Sequence, residues 1–264
     1  MQIIRTEPST GGESRTPRDQ IEPVFHENAL VEPDMAADCS SSEGWPLANG
    51  APPVWGTQLE AMRQFVVAAE SLDSQAEAEQ AGGSSAKGGI YTAFFGSGVV
   101  KVGTGDDGGD LNSANFTEKI NAIRVKDDHN AIVPLPWGGT VIMPAIRYLD
   151  DHYLGEFEKD EETGQIVPVA ARPRRARSVW TDGAMTDYEE FGARLAEDHS
   201  DEWPQEEWFI AILGEGDAHD ETLRRYQDIA RKHSSVHVYS FDGVTNPAEI
   251  AEDMAIAMLG RKAA

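Results

Sequence analysis

The stretch EEWFIAILGEG, residues 206–216, constrains the fold of this chain more than any other feature. Its apolar residues follow one another without the alternation of polar and apolar positions that marks a half-exposed strand. Such runs are typical of parallel strands that are buried on both faces. A parallel strand needs a long crossover connection, usually a helix, before the next strand can pair with it.

Strand-like and helix-like stretches alternate around this run. Leu223, Tyr226 and Ile229 fall on one helix face, and VHVYSFDG then predicts another strand. In the first half, TQLEAMRQFVVAAESL has apolar residues at helical spacing, and IYTAFFGSGVVKVGT predicts an antiparallel hairpin around a Gly-Ser-Gly turn. This alternation predicts an α/β fold, a doubly wound and mostly parallel sheet with helices on both faces and one antiparallel edge strand.

The predicted domain organisation is simple. Residues 1–20 are polar and rich in Pro, Gly, Ser and Thr, which predicts a flexible N-terminal arm, and residues 21–264 are predicted to form one domain. No stretch offers about 18 consecutive apolar residues, and the first residues lack a signal-peptide core, so we expect a cytoplasmic protein. The single cysteine, Cys39, excludes an internal disulfide and a cysteine zinc cluster.

The chain is strongly acidic. It has 46 Asp and Glu residues against 22 Lys and Arg residues, and a formal net charge of −24. A field of this sign repels nucleic acid and anionic membranes, so neither is an expected partner. The same field favours the binding of a divalent cation.

Three segments that are distant in sequence are predicted to meet at one crevice. Asp38 ends a strand in MAADCSSSEG, Asp182 ends a second strand in SVWTDG, and Thr140 follows a Gly-Gly pair in LPWGGT, just before a helix. In an open parallel sheet, ligands bind beyond the carboxyl ends of the strands, where the winding direction reverses. Ser40 and Ser42 lie on the same side as Asp38 because side chains in an extended segment repeat every two residues.

Two carboxylates and three hydroxyls are suitable ligands for a hard cation. Mg²⁺ takes about six oxygen ligands and usually keeps several waters among them. Glycines at 138, 139 and 183 allow the backbone to turn closely around a small site. The sequence therefore predicts a magnesium centre in this crevice.

The three motifs together resemble the metal-ion-dependent adhesion site of von Willebrand factor type A (vWA) domains. LPWGGTVIMPAI and the Phe-Gly-Ser end of IYTAFFGS are most similar to bacterial cytoplasmic members of the tellurium-resistance and stress-response group. The resemblance implies a six-stranded sheet in the order 3-2-1-4-5-6. It also implies a protein partner whose exposed acidic residue completes the metal shell, with no chemistry performed. The resemblance further implies a bound Mg²⁺, for which Mn²⁺ or Ca²⁺ can substitute. The metal ligands that it implies are Asp38, Ser40, Ser42, Thr140 and Asp182.

Two positions depart from the family pattern. Ser41 stands where the family usually has Gly, and Glu43 stands where it usually has Met. Glu43 could crowd the ion or occupy the position of the partner's acid. The possible accessory residues of the centre are Glu43, Asp187, Gly139 and Gly183.

Two alternative functions stay open at this point. The chain could be a degenerate vWA scaffold that has lost its metal, or a Mg²⁺-dependent hydrolase or phosphotransferase that uses Asp38 as its nucleophile. The second alternative lacks a Gly-rich phosphate loop with Lys, and no basic residue is present in the predicted site. The identity of the partner and the oligomeric state do not follow from the sequence.

Three local patterns carry further expectations. Pro33 is poorly suited to a central strand, so the first strand is predicted to be very short or bulged. The segment ARPRRAR is predicted to be an exposed loop that pairs with its acidic neighbour, with a docking patch for an acidic partner as the alternative. Thr186 and Glu189 have the spacing of a capping box that opens a helix.

Overall fold

The computed structural model describes residues 31–41, 54–78, 89–102, 110–126, 129–155, 158–159, 166–167, 174–183, 185–196, 206–214, 216–241 and 247–259. The predicted arm, residues 1–20, and the predicted start of the domain lie outside these ranges. The strands are β1 Val31–Asp38, β2 Ile90–Phe95, β3 Val99–Lys101, β4 Asp110–Leu111, β5 Val125–Lys126, β6 Ile132–Val133, β7 Glu158–Lys159, β8 Ile166–Val167, β9 Arg174–Thr181, β10 Glu206–Leu213 and β11 Val236–Phe241. The helices are α1 Val54–Ala78, α2 Phe116–Ala122, α3 Met143–Gly155, α4 Tyr188–Leu195, α5 Asp217–Ala230 and α6 Pro247–Leu259.

The main sheet has the strand order β11-β10-β9-β1-β2-β3. Neighbouring strands from β11 to β2 are parallel, and β3 is antiparallel to β2. The predicted α/β fold with a mostly parallel sheet is therefore confirmed, as is the hairpin around the Gly-Ser-Gly turn. Among the described residues the sheet has seven strands, one more than predicted, because the short β4 also pairs with β2, at the residues that precede the pairing with β3.

Two hydrophobic clusters lie against opposite faces of this sheet. Met35 and Ala37 of β1 belong to the cluster that contains buried residues of α1 and α6. Ala36, between them, belongs to the cluster that contains buried residues of α3, α4 and α5. Successive side chains of a strand point to opposite faces, so every central strand contributes to both clusters. In the part of the chain that the structure describes, no helix is both long and apolar enough to cross a membrane.

The prediction for the first strand is wrong. β1 is eight residues long and lies between β9 and β2 in the centre of the sheet. Pro33 pairs in register with Ala176 of β9, whereas the pairing with β2 begins only at Asp34. The missing N–H of Pro33 is tolerated because the ladder between β1 and β2 does not extend to that residue.

The prediction for the arginine-rich segment is also wrong for the residues that the structure describes. Residues 174–177 belong to β9, and the side chains of Arg175 and Arg177 are buried. Both guanidinium groups donate hydrogen bonds to the buried carboxylate of Asp34. The Arg175 Nη2–Asp34 Oδ2 distance is 2.8 Å, and the Arg177 Nε–Asp34 Oδ1 distance is 2.7 Å. Arg172 lies outside the described residues.

Further charged groups complete this buried ion network. Asp150 of α3 accepts hydrogen bonds from both arginines at its Oδ1 atom. The distance is 2.7 Å from Arg175 Nη1 and 3.1 Å from Arg177 Nη2. The two carboxylate oxygens of Glu206 of β10 contact different arginines. Oε1 lies 3.5 Å from Arg177 Nη1, and Oε2 lies 2.8 Å from Nη2 of Arg194 in α4. The six members are Asp34, Asp150, Arg175, Arg177, Arg194 and Glu206. Their formal charges, three negative and three positive, cancel.

We expect the loss of Asp34 to be costly. Asp34→Asn keeps the shape of the side chain but leaves two buried guanidinium groups undercompensated, so it should lower the free energy of unfolding by about 3–5 kcal/mol. Glu190→Gln, which removes an exposed ion pair with Arg147, is the control and should change it by less than about 1 kcal/mol. Urea unfolding at pH 8 measures both. Equal, small effects of the two substitutions would contradict a structural role for the network.

Candidate metal centre

Three loops meet at the carboxyl ends of β1 and β9. We call residues 39–41 the first loop, residues 135–142 the second loop and residues 182–187 the third loop, in which residue 184 is not described. Backbone hydrogen bonds join the first loop to the second: Ser41 N–H donates to Gly138 O at 2.9 Å, and Trp137 N–H donates to Cys39 O at 2.5 Å. The second loop is joined to the third by Thr186 N–H, which donates to Thr140 O at 2.9 Å. The predicted convergence of the loops is confirmed.

Asp38 is held in place by donors to both of its carboxylate oxygens. Ser40 N–H donates to Oδ1 at 2.8 Å, and the hydroxyl of Thr181, the last residue of β9, donates to Oδ2 at 2.9 Å. Asp38 itself is completely buried, and Ser40 is almost completely buried. A carboxylate oxygen can accept more than one contact, so each oxygen of Asp38 keeps acceptor capacity for a cation.

Burial and a second carboxylate both raise the pKa of Asp38. Burial, followed by the negative charge of Asp182, raises the pKa of the Asp38 carboxyl to about 7, against the lowering effects of Ser40 and Thr181. Asp182 is the first residue after β9 and is partly exposed. Two carboxylates of adjacent loops thus share one crevice, where a cation would stabilise the ionised form of both.

Thr140 is held by the third loop. It is buried, and its carbonyl oxygen accepts hydrogen bonds from both the N–H and the hydroxyl of Thr186, each at 2.9 Å. The predicted capping box at Thr186 is wrong, because α4 begins at Tyr188 with Asp187 as its N-cap residue and no side-chain capping bond. The hydroxyl of Thr186 is instead used to fix the loop that carries Thr140.

Asp187 bridges the third loop and helix α3. Its carboxylate accepts from the N–H of Ile142 at 3.1 Å and from the N–H of Met143 at 2.8 Å. These N–H groups belong to the start of α3, where backbone donors have no partner within the helix. Asp187 is therefore a carboxylate at a helix start. The helix whose N–H groups it binds is α3 rather than the helix that follows it in sequence.

Glycines give the second and third loops their close contacts. Gly138 has a φ of +80°, and a Cβ there would lie 2.4 Å from Ser97 Oγ, which accepts a hydrogen bond from Gly139 N–H at 2.8 Å. Gly183 has a φ of +88°, and a Cβ there would lie 2.1 Å from Thr222 of α5. Both positions require glycine, for backbone conformation and for space.

The described residues fit a hard divalent cation. Asp38, Ser40, Thr140 and Asp182 lie in or beside the three converging loops. The side-chain atoms that they offer to a metal ion are all oxygens. Ser42 and Glu43 lie outside the described residues. Among the described residues, no group of three or more His, Cys, Asp or Glu side chains could hold a metal ion. The centre would therefore depend on two carboxylates supplemented by hydroxyls.

Three residues of the site were not singled out from the sequence. Thr181 and Ser97 were assigned only to a strand and a turn, and Gln58 of α1 lies in an otherwise apolar stripe and donates to Asp38 O at 2.6 Å. A glutamine among buried helix positions is a signal that sequence reasoning could have used. No comparable signal marks Thr181 or Ser97, because both residue types are ordinary where they stand.

No protein-family model and no curated protein matches this chain. Its function is therefore inferred from the geometry of the three loops.

The raised pKa of Asp38 predicts a pH dependence of stability without metal. The carboxyl has an ordinary pKa of 3.8 when unfolded and about 7 when folded, so the folded state binds more protons between these values. Its contribution to stability should fall as the pH rises from about 4 to 7. Asp38→Asn removes this titration, so its free energy of unfolding should rise by about 1–3 kcal/mol relative to that of the wild type over that range.

Urea unfolding of EDTA-treated protein at several pH values measures this difference. Asp34→Asn is a poor control because it disrupts the buried ion network. Asp151→Asn, at an exposed position of α3, is the matched control and should follow the wild type. A constant difference between Asp38→Asn and the wild type at all pH values would contradict the assignment.

Proposed function

We propose that this chain is a vWA-type domain that holds a divalent cation, preferably Mg²⁺, between its three loops and binds a protein partner through that ion. Asp38, Ser40, Ser42, Thr140 and Asp182 would provide the protein ligands or orient water ligands. The bound cation would supply a coordination position for an oxygen ligand of the partner. The proposal includes the cytoplasmic location predicted from the sequence.

The observation that carries this proposal is the pair of carboxylates. Asp38 is buried, and Ser40 and Thr181 fix both of its oxygens, yet the charge of Asp182 lies close enough to raise its pKa. Two neighbouring carboxylates in one crevice are unfavourable unless a proton or a cation separates them. A divalent cation would balance both charges, which a single proton cannot do.

The topology gives independent support. Read from one edge, the order β11-β10-β9-β1-β2-β3 corresponds to 6-5-4-1-2-3 when only strands along this path are numbered, with an antiparallel strand at the last position. This order reverses at β1, whose carboxyl end carries Asp38. Such a reversal is where ligands bind in doubly wound sheets. The short strand β4 adds a seventh strand without widening this path.

A binding function is favoured over phosphoryl transfer. None of the residues 38–41, 135–142 and 181–187 is lysine or arginine. Phosphoryl transfer requires groups that neutralise the charge of the transferring phosphate, and the metal alone would have to do so here. A partner's acidic side chain needs only one coordination position of the ion and no further catalytic group.

Metal binding is the first test. Mg²⁺ should raise the melting temperature of the wild type and give a saturable heat in titration calorimetry, because a ligand that binds only the folded state stabilises it. Asp38→Ala should reduce the affinity at least 10-fold, whereas Asp151→Ala, at an exposed position of α3, should leave it unchanged. A wild type that binds neither Mg²⁺, Mn²⁺ nor Ca²⁺ would support the scaffold alternative.

Partner capture is the second test. Thr140→Ala removes a hydroxyl without changing charge, so it should weaken Mg²⁺-dependent capture of partners from native lysate by at least 5-fold, with little change in melting temperature.

Glu43→Ala should strengthen capture if Glu43 occupies the open position of the ion. Pull-downs with Mg²⁺ and with EDTA measure both effects. Partners retained equally under the two conditions would contradict a metal-bridged complex.

A further inference from the structure

Gln58 is a polar residue in the buried stripe of helix α1. It is fully buried and is followed at helical spacing by the buried residues Ala61, Met62 and Phe65. These neighbours belong to the hydrophobic cluster that α1 shares with α6. Long polar side chains are seldom fully buried in such surroundings unless their polar atoms have partners.

One end of the Gln58 amide contacts the metal centre. Its Nε2 donates to the main-chain carbonyl oxygen of Asp38, at 2.6 Å. This contact fixes the orientation of the amide, because the reverse orientation would place two oxygen acceptors against each other. The other end, Oε1, is buried and accepts no hydrogen bond from the residues that the structure describes.

This arrangement is a poor way to stabilise a core. A buried acceptor without a donor is unfavourable, and an apolar side chain of the same shape would avoid it. Methionine has a similar length and flexibility and would fill the same space without an unsatisfied atom. The stability of the fold therefore does not explain why a glutamine is present, whereas its contact with Asp38 offers a reason.

We propose that Gln58 is a positioning residue for the metal centre, an inference that rests on the proposed metal-binding function. The carbonyl group of Asp38 belongs to the peptide unit that joins Asp38 to Cys39, at the start of the first loop. By holding this carbonyl oxygen from α1, Gln58 fixes the peptide plane at the end of β1. It thereby fixes the direction in which the first loop brings the N–H of Ser40 to the Asp38 carboxylate.

Gln58→Met tests the proposal because positioning and stability predict opposite results. The variant removes the donor to Asp38 and also Oε1, the atom that no described residue satisfies. We expect the Mg²⁺ affinity to fall about 10-fold in titration calorimetry, while the melting temperature without metal stays equal or rises. Gln64→Met is the matched control on the same helix, where the amide donates only to Glu60 at the surface, and it should leave the affinity unchanged.

A second measurement needs no metal. Without the contact from Gln58, the first loop should open more often, so the Ser40 N–H, which donates to Asp38 Oδ1, should exchange with solvent at least 5-fold faster in EDTA-treated Gln58→Met than in Gln64→Met. Unchanged Ser40 exchange, or a lower melting temperature with unchanged affinity in a wild type that binds Mg²⁺, would overturn the positioning role alone. A wild type without metal affinity would overturn the proposed function and this inference with it.

Discussion

The carboxylate of Asp34 between the guanidinium groups of Arg175 and Arg177 is the interaction on which the arrangement of the central strands depends. A shift of β1 by one residue against β9 would turn Asp34 to the opposite face and leave two buried cations without their partner. The same register brings Asp38, four residues further along β1, beside Thr181, four residues beyond Arg177 on β9. The ion network and the carboxylate of the candidate centre are thus two consequences of one strand pairing.

The division of roles between the two ends of these strands has a physical basis. In the ion network, charges of both signs cancel and Arg177 is completely buried, so the network needs no further ligand. At the carboxyl ends, Asp38 and Asp182 have the same sign, and no lysine or arginine is present in the residues of the three loops. The two ends of these strands therefore differ in charge, because the ion network is neutral whereas the carboxyl ends bring two carboxylates beside backbone turns and hydroxyls.

Much of this architecture could be predicted from the sequence because its signals are local. These signals are the uninterrupted apolar run of β10, the hairpin after β2, the positions of Asp38 and Asp182 at strand ends and the position of Thr140 before a helix. The burial of Arg175 and Arg177 could not, because a run of arginines resembles an exposed segment until Asp34, Asp150 and Glu206 are brought to it by folding. Pro33 was misjudged for a similar reason, since its tolerance depends on where β2 begins.

Asp187 has a mechanical consequence. Its carboxylate ties the third loop to the first N–H groups of α3, and Thr186 ties the same loop to Thr140. Hydrogen bonds therefore join the second loop, the third loop and the beginning of α3 into one unit. Helix α3 thus contacts the candidate centre at its start and the buried ion network at Asp150, so one rigid element is shared by both ends of the central strands.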